Sequence, residues 1–330
     1  MAAREDDLAR RELLASVASM YYLEGLDQNA IAASVGLSRS SVSRLITEAR
    51  QSGVVHIRVD RPMPRAADLE ERLTAAFPLT EAVVLADAAA AVITPTVERI
   101  GALAAHHVHQ CFPAKGTLAI SWGETVAAVA AALPHDPSRE ARVVQMIGAS
   151  GTARPEIDGP GVARTFASRL GGQHRTLNAP LVVDSAELAR ALVRQPPIAQ
   201  VLQDAAAADM ALIGLGSMEP GSSSLVRAGY VEPHELAQCA ALGIVGDVAG
   251  HMLDSRGDVT ASDLGDRMVT LDEASLRGIP AVVVVAYGPS KVKIIEAALR
   301  GGFLDVLITD AETVRTVLEN SARTTPGGRR

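Results

Sequence analysis

Two sets of side chains in this sequence have the types and spacing to do chemistry. Ser38, Arg39, Ser40, Ser41, Ser43 and Arg44 gather hydroxyls and guanidinium groups within one short helical stretch. Arginine reads guanine edges or holds phosphates, while serine hydroxyls and a helix N-terminus bind backbone oxygens, so this set suits the major groove of double-stranded DNA. The second set lies far downstream. In Ser121-Trp122-Gly123-Glu124-Thr125, the glycine lets backbone amides approach an anion and two hydroxyls flank it, an arrangement for a phosphate or the oxygens of a polyol. The same five residues also read as a plain strand-to-helix turn. Gln145, Gly148 and Ala149 close one apolar run and Gly214, Gly216 and Ser217 close another, so three strand ends are expected to converge on one crevice. Asp247 is placed to accept from sugar hydroxyls, or else to cap a helix. Arg227 and Lys291 are the candidate cations for a phosphate, each otherwise a solvated side chain, with Lys291 opening a helix after Gly288-Pro289-Ser290.

The first set requires a helix-turn-helix, and the segment from Gln28 to Leu45 supplies the steric pattern of one. Ala32 is small where two helices cross, Gly36 suits the positive φ of the turn, and Ile31, Val35, Leu37, Val42 and Leu45 recur at the spacing that fills the gap between helices. Ser38 is positioned to cap the second helix, and Gln28, at the start of the first, joins the DNA-facing set. The bland alternative is a helical hairpin with a serine-rich solvent face. Gly53 to Val59 reads as a turn and a strand, a small wing.

The second set requires a sheet. After Glu81, the runs Ala82 to Leu85, Leu118 to Ile120, Val143 to Ile147, Met210 to Ile213, Ala281 to Ala286 and Val306 to Ile308 alternate with longer Ala-rich helical patterns. That rhythm predicts an α/β fold, a doubly wound parallel sheet with crossover helices. The expected organisation is a helix-turn-helix domain over 1–60, a linker and connector helix over 61–80, an effector domain over 81–320 and a disordered tail over 321–330. Arg61-Pro62-Met63-Pro64-Arg65 breaks any helix, and the amphipathic stretch from Asp68 to Ala76 is the connector, placed to lie against a sister subunit.

Composition limits the alternatives. A 330-residue chain exceeds one ordinary core, and with 48% hydrophobic but only 3% aromatic residues that core is built from Ala, Val, Leu and Ile. The net charge of −7 argues against a chain coating nucleic acid along its length, yet Arg39, Arg44, Arg50 and Arg58 face only Glu48 between Ser38 and Arg58. No apolar run reaches the roughly 18 residues that span a bilayer, and the charged start is unlike a signal peptide, so a cytoplasmic protein is expected. Cys111 and Cys239 read as ordinary buried thiols. His106, His107, His109 and Cys111 invite a metal, but their pairs point to different faces and no carboxylate is close in sequence. Neither a metal nor a cofactor is expected.

Several motifs in order resemble the SorC family of sugar-responsive transcriptional regulators, over nearly all of Leu13 to Leu318. They are Tyr21-Tyr22-Leu23-Glu24-Gly25 with the helix-turn-helix, Ser121 to Thr125, Val143 to Gly148, Gly214 to Ser217, Gly243 to Asp247, and Lys291 to Asp310. The resemblance implies a sugar-binding domain like those of phosphosugar isomerases and deaminases, used for sensing, usually in a tetramer, with a lysine at position 291. Ala30 departs from it, standing where the family commonly has an acid. Besides Lys291 and Lys293 the effector domain holds only Lys115, so no lysine from its central part is available for a Schiff base. The expected function is a non-enzymatic regulator, acting as a homo-oligomer on a DNA operator under the control of a small carbohydrate. The rivals are a phosphosugar isomerase or deaminase carrying a nucleic-acid module, with Asp247 or Glu124 as base, and a constitutive DNA-binding protein whose large domain only oligomerises.

Overall fold

A computed structural model describes residues 2–55, 63–87, 94–151, 154 and 156–324. The chain divides into two compact units at Pro62 and Met63.

In the first unit α1 (Ala2–Tyr22), α2 (Gln28–Val35) and α3 (Arg39–Gln51) enclose a small core. The Asp27 carboxylate accepts the amides of Asn29 and Ala30 and so starts α2, and Gly36 ends it at φ 66°, a left-handed conformation that an L side chain resists. Ser38 starts α3, its hydroxyl accepting the Ser41 amide at 3.1 Å. Leu14 and Val17 of α1 meet Ile31 of α2 and Val42, Leu45 and Ile46 of α3. Leu37 departs from expectation. It is 39% exposed, because the turn after Gly36 carries it away from the buried stripe, and α1 fills the space instead. The expected wing lies outside the described residues from His56 onward. Replacing Ser38 with Ala removes the α3 cap and is expected to cost the first unit about 1 kcal/mol, read as an earlier urea transition followed by a probe in that unit of the full chain. An unmoved midpoint would mean the cap contributes nothing.

Among the described residues the second unit has ten strands: β1 (Glu81–Leu85), β2 (Thr117–Ile120), β3 (Arg142–Gln145), β4 (Gln173–Arg175), β5 (Met210–Ile213), β6 (Leu215–Ser217), β7 (Ile244–Val248), β8 (His251–Asp254), β9 (Val282–Val285) and β10 (Val306–Asp310). Seven of them form one sheet in the order β1-β10-β9-β5-β2-β3-β4, every neighbour parallel. Its helices are α4 (Ala67–Ala76), α5 (Thr96–Cys111), α6 (Glu124–Ala132), α7 (Gly159–Arg169), α8 (Ala186–Val193), α9 (Pro196–Ala206), α10 (Ser224–Arg227), α11 (Pro233–Ala241), α12 (Asp263–Asp266), α13 (Glu273–Arg277), α14 (Val292–Arg300) and α15 (Ala311–Thr324). Successive strand side chains point to opposite faces. Val84, Ala119, Ala211 and Val284 accordingly pack with α4, α14 and α15 on one side, while Val83, Leu118, Leu212 and Val283 pack with α5, α6 and α7 on the other. Helices on both faces leave the central strands buried throughout, which is why Val282 to Val285 reads as an unbroken apolar run.

Each of the six strands expected after Glu81 is present, and the doubly wound sheet with them. Four further strands had no apolar run to announce them. β4 is exposed at all three positions, and β6, β7 and β8 form a separate three-stranded antiparallel sheet in which β7 buries only alternate residues. The connector helix needs correction, because Leu69 and Leu73 of α4 belong to the large core and the preceding residues lie along β1, with Arg65 bridged to Leu85. Its apolar stripe is consumed within its own unit. The expected tail is helical at its start, where α15 runs to Thr324; residues 325–330 lie outside the described residues. Cys111 is exposed rather than buried, whereas Cys239 is buried.

Candidate functional site: an effector cavity and a recognition helix

Strand order alone fixes where a ligand belongs. From β2 the chain moves outward to β3 and β4, then returns to lay β5, β9 and β10 on the other side of β2. Connections therefore diverge at the β2–β5 boundary, and in open parallel sheets the crevice lies beyond the carboxyl ends of such strands. Here the two ends are tied together. The Ser121 amide donates to the Leu212 carbonyl at 3.1 Å, and the Gly214 amide donates to the Ser121 hydroxyl at 3.1 Å.

A cavity of about 360 Å³ opens at that point. Its walls come from the loop after β2 (Ser121 to Thr125), the end of β5 with β6 (Gly214 to Gly216), the serine-rich turn Ser222 to Ser224 with Arg227, the β7–β8 hairpin (Asp247, Ala249 and Gly250), and the segment after β9 from Ala286 to Lys291. Ile147, Leu181 and Met268 add an apolar floor. Gly123 begins α6 with no side-chain cap, so the first amides of that helix are open to oxygen acceptors; at the short turn leading into α14 the Gly288 amide instead donates to the Thr313 hydroxyl at 2.8 Å and the Lys291 amide to the Gly288 carbonyl at 3.0 Å.

The strongest electrostatic feature is the pair of ionisable groups in the wall. Lys291 is partly buried, and its Nζ donates to the Leu215 carbonyl at 2.6 Å. Burial lowers its ammonium below the ordinary lysine range, while the nearby Asp247 carboxylate acts in the opposite direction. Burial likewise raises the Asp247 carboxyl, against the opposing effects of the Gly250 amide and Lys291. Its Oδ2 accepts that amide at 3.1 Å. Asp247 sits on β7 opposite Gly216 of β6, and a Cβ on Gly216 would fall 1.7 Å from Asp247 Oδ1. Glycine at 216 is thus the space in which the carboxylate stands. A strand residue cannot be the helix cap that the sequence left open for Asp247.

Of the residues singled out in the sequence, Ser121, Trp122, Gly123, Glu124, Thr125, Gly214, Gly216, Arg227, Asp247 and Lys291 line the cavity. Gln145, Gly148, Ala149 and Ser217 do not. Gln145 is fully buried, its amide donating to the Ile147 carbonyl at 2.6 Å and its carbonyl accepting the Leu177 amide at 3.3 Å. Gly148 lies against Pro180 and Leu181, where a Cβ would meet backbone at 2.5 Å. Ala149 is bridged to Pro180, and its carbonyl accepts the Tyr230 hydroxyl at 2.6 Å. The chain from Leu177 to Val183 therefore covers the end of β3, and the crevice is shared by β2, β5 and β9 instead. Ser217 is buried and turns inward, its hydroxyl accepting the Glu219 amide at 3.2 Å. The sequence reading missed Ser222 to Ser224, Tyr287 and Gly250. The serine run was a visible signal; Gly250 joins the site only because the small sheet folds back.

On α3, Arg39, Ser40, Ser43 and Arg44 are exposed, Ser41 is half-buried, and Gln28 is half-buried at the start of α2. The Ser38 hydroxyl lies 2.9 Å from that of Ser40 and 2.8 Å from that of Ser41. Glu48 is bound by Arg10 of α1, with Nε donating at 3.0 Å, and that guanidinium holds its carboxyl below the usual range. The acid within α3 is thereby compensated from inside its own unit.

Near α5, His107 is buried with Nδ1 3.7 Å from a Glu81 carboxylate oxygen. No helix among the described residues is long and apolar enough to cross a membrane.

Comparison with known proteins agrees with this architecture. The family model described as "Putative sugar-binding domain" matches residues 61–319. The transcriptional regulator LsrR of Enterobacter sp. (strain 638) is 34% identical over 315 residues, covering 94% of each chain. LsrR of Escherichia coli K12 is 30% identical over 322 residues, covering 97% of this chain and 98% of its own. Among solved structures, the full-length sorbitol operon regulator SorC of Klebsiella pneumoniae superposes with a TM-score of 0.69 at 23% identity, over 93% of this chain and 99% of that one, a likeness of fold. The "Putative Sugar-Binding Domain of Transcriptional Repressor" from Vibrio fischeri superposes with a TM-score of 0.69 at 28% identity, over 78% of this chain and 100% of that one. The helix-turn-helix, the doubly wound effector unit and these relatives lead to one conclusion: the chain belongs to the SorC family of sugar-binding transcriptional regulators, and is a DNA-binding regulator rather than an enzyme.

Proposed function

We propose that α3 enters the major groove of an operator with Arg39, Ser40, Ser43 and Arg44 toward the DNA, and that a phosphorylated sugar or polyol in the effector cavity controls that binding. One observation carries the effector reading. At the topological switch of the sheet, a cavity of about 360 Å³ brings Lys291, the hydroxyls of Ser222 to Ser224 and the uncapped start of α6 to the same space. Such groups match a phosphate with adjoining hydroxyls. No cofactor is needed for this role. The protein acts as a homo-oligomer, dimer or tetramer, whose paired recognition helices span half-sites roughly 34–36 Å apart or a multiple of that. Effector occupancy works by favouring one arrangement of those helices over another.

Trp122, the single tryptophan, lines the cavity and reports on its contents. Titrating a panel of phosphorylated pentoses, hexoses and polyols is expected to give a saturable change in its emission with at least one member, and little with the dephosphorylated counterpart. A flat response across the panel would leave the large unit with only an oligomerising role, and an equal response to the neutral sugar would remove the phosphate from the reading.

A further inference from the structure

Beside the main cavity lies a second one of about 210 Å³, lined by Trp122, Gly123, Glu124, Arg154, Ile157, Ser224, Arg227 and Ala228. Trp122, Gly123, Glu124, Ser224 and Arg227 line both spaces. The shared wall has an unusual charge arrangement. Glu124 stands between two guanidinium groups, with one carboxylate oxygen 3.1 Å from Arg154 Nη1 and the other 3.8 Å from Arg227 Nη2, while Arg154 Nε donates to Glu156 at 3.0 Å. Trp122, also in that wall, has its indole N–H buried without a hydrogen-bond partner among the described residues.

From this arrangement we infer that the effector carries a second acidic group, a carboxylate or a second phosphate at the end away from Lys291, and that this group is held by Arg154 and Arg227 in the place Glu124 now takes between them. The inference rests on the effector reading above and deepens it. The physical case has three parts. A carboxylate bridging two guanidiniums marks a place where an external anion of similar shape fits, because arginine's planar fork pairs carboxylate and phosphate alike. The three side chains are each about half exposed, at 48% for Glu124, 56% for Arg154 and 47% for Arg227. Ion pairs so exposed are weak and rearrange at little cost, so a stronger anion can displace the internal one. Lastly, Glu124 is the first residue of α6, where its own charge discourages a phosphate from resting on that helix start unless the carboxylate swings aside. An effector with one acidic end therefore leaves the outer pair with Glu124, whereas an effector with two ends replaces it.

The test titrates the intact protein, through Trp122 emission and calorimetry, with glucose 6-phosphate, glucose 1,6-bisphosphate and 6-phosphogluconate, and with the analogous pentose compounds. At least one doubly acidic compound is expected to bind ten-fold or more tightly than its monoester, and comparison of bisphosphate with phosphosugar acid identifies the second group. Arg154→Gln is expected to erase that advantage, and Glu124→Gln to enlarge it, since the competitor shared by both arginines is gone and only Glu156 still pairs with Arg154. A monoester that binds as tightly as its doubly acidic relatives would overturn the inference while the phosphosugar reading stands; so would an advantage that survives Arg154→Gln. Binding by no phosphorylated compound in either series would overturn both.

Discussion

In a gel-shift titration with its genomic operator, the Arg44→Ala protein is expected to bind roughly ten- to a hundred-fold more weakly than the parent, the loss that accompanies removal of a guanidinium from a base edge. The side chain is exposed, and among the described residues its one hydrogen bond is a long contact from Nε to the Ser40 carbonyl at 3.4 Å. Truncation thus leaves the core of Leu14, Val17, Ile31, Val42 and Leu45 untouched, and circular dichroism should be unchanged. Arg44 lies on the face of α3 opposite its buried stripe, one turn beyond Ser40, so in the proposed docking of α3 it would reach the groove floor or its near phosphates. Salt dependence separates these roles. A phosphate contact lowers the slope of log affinity against log salt by about one and weakens all sequences alike, whereas a base contact relaxes preference at one operator position. Unchanged affinity for the operator would remove α3 as the reading helix.

Much of this was legible because the relevant physics is local. The steric pattern around Gly36 fixes two helices and the turn between them, and Ser38 caps the second as its position demands. Six apolar runs became six strands because a strand covered on both faces admits few polar residues. What was not legible depends on long-range packing. Gln145 and Gly148 follow an apolar run as a site residue would, yet a segment some thirty residues later closes over them (the Leu177 amide donates to the Gln145 side-chain carbonyl at 3.3 Å). Nothing near either residue announces that cover. Asp247 raised the reverse difficulty. Its sequence neighbourhood allowed a helix cap, and only the antiparallel pairing of β6 with β7 places it over Gly216 and beside the Lys291 region. The exposed Leu37 shows the same limit at small scale, since α1 had no motif to reveal that it would supply the missing core side chains.

Substituting Lys291 with Met is expected to abolish the response of operator binding to the effector while leaving affinity for the operator in its absence unchanged. Met nearly matches the length and apolar stem of lysine, so the wall beside Leu215 keeps its packing while the charge and the donor are lost. Two effects follow. The Leu215 carbonyl, which now accepts Nζ at 2.6 Å, loses its partner, a cost of about 1–3 kcal/mol for a buried acceptor. An incoming phosphate loses a charge-assisted contact in a partly desolvated cavity, where such a bond contributes about 1.5–3 kcal/mol, or ten-fold and more in affinity. Burial has already lowered the Lys291 ammonium, and an anion beside it reverses that shift by favouring the charged form. Binding should therefore take up protons at alkaline pH in the parent, measurable as a buffer-dependent heat, and lose that uptake in the variant. Lys291→Gln separates the two effects, because it restores a donor for the carbonyl without restoring charge. If the hydrogen bond to Leu215 is what matters, the Gln variant recovers the response; if the charge matters, both variants ignore the phosphorylated ligand equally. Normal induction in the Met variant would take Lys291 out of the effector site and leave the cavity without its main cation.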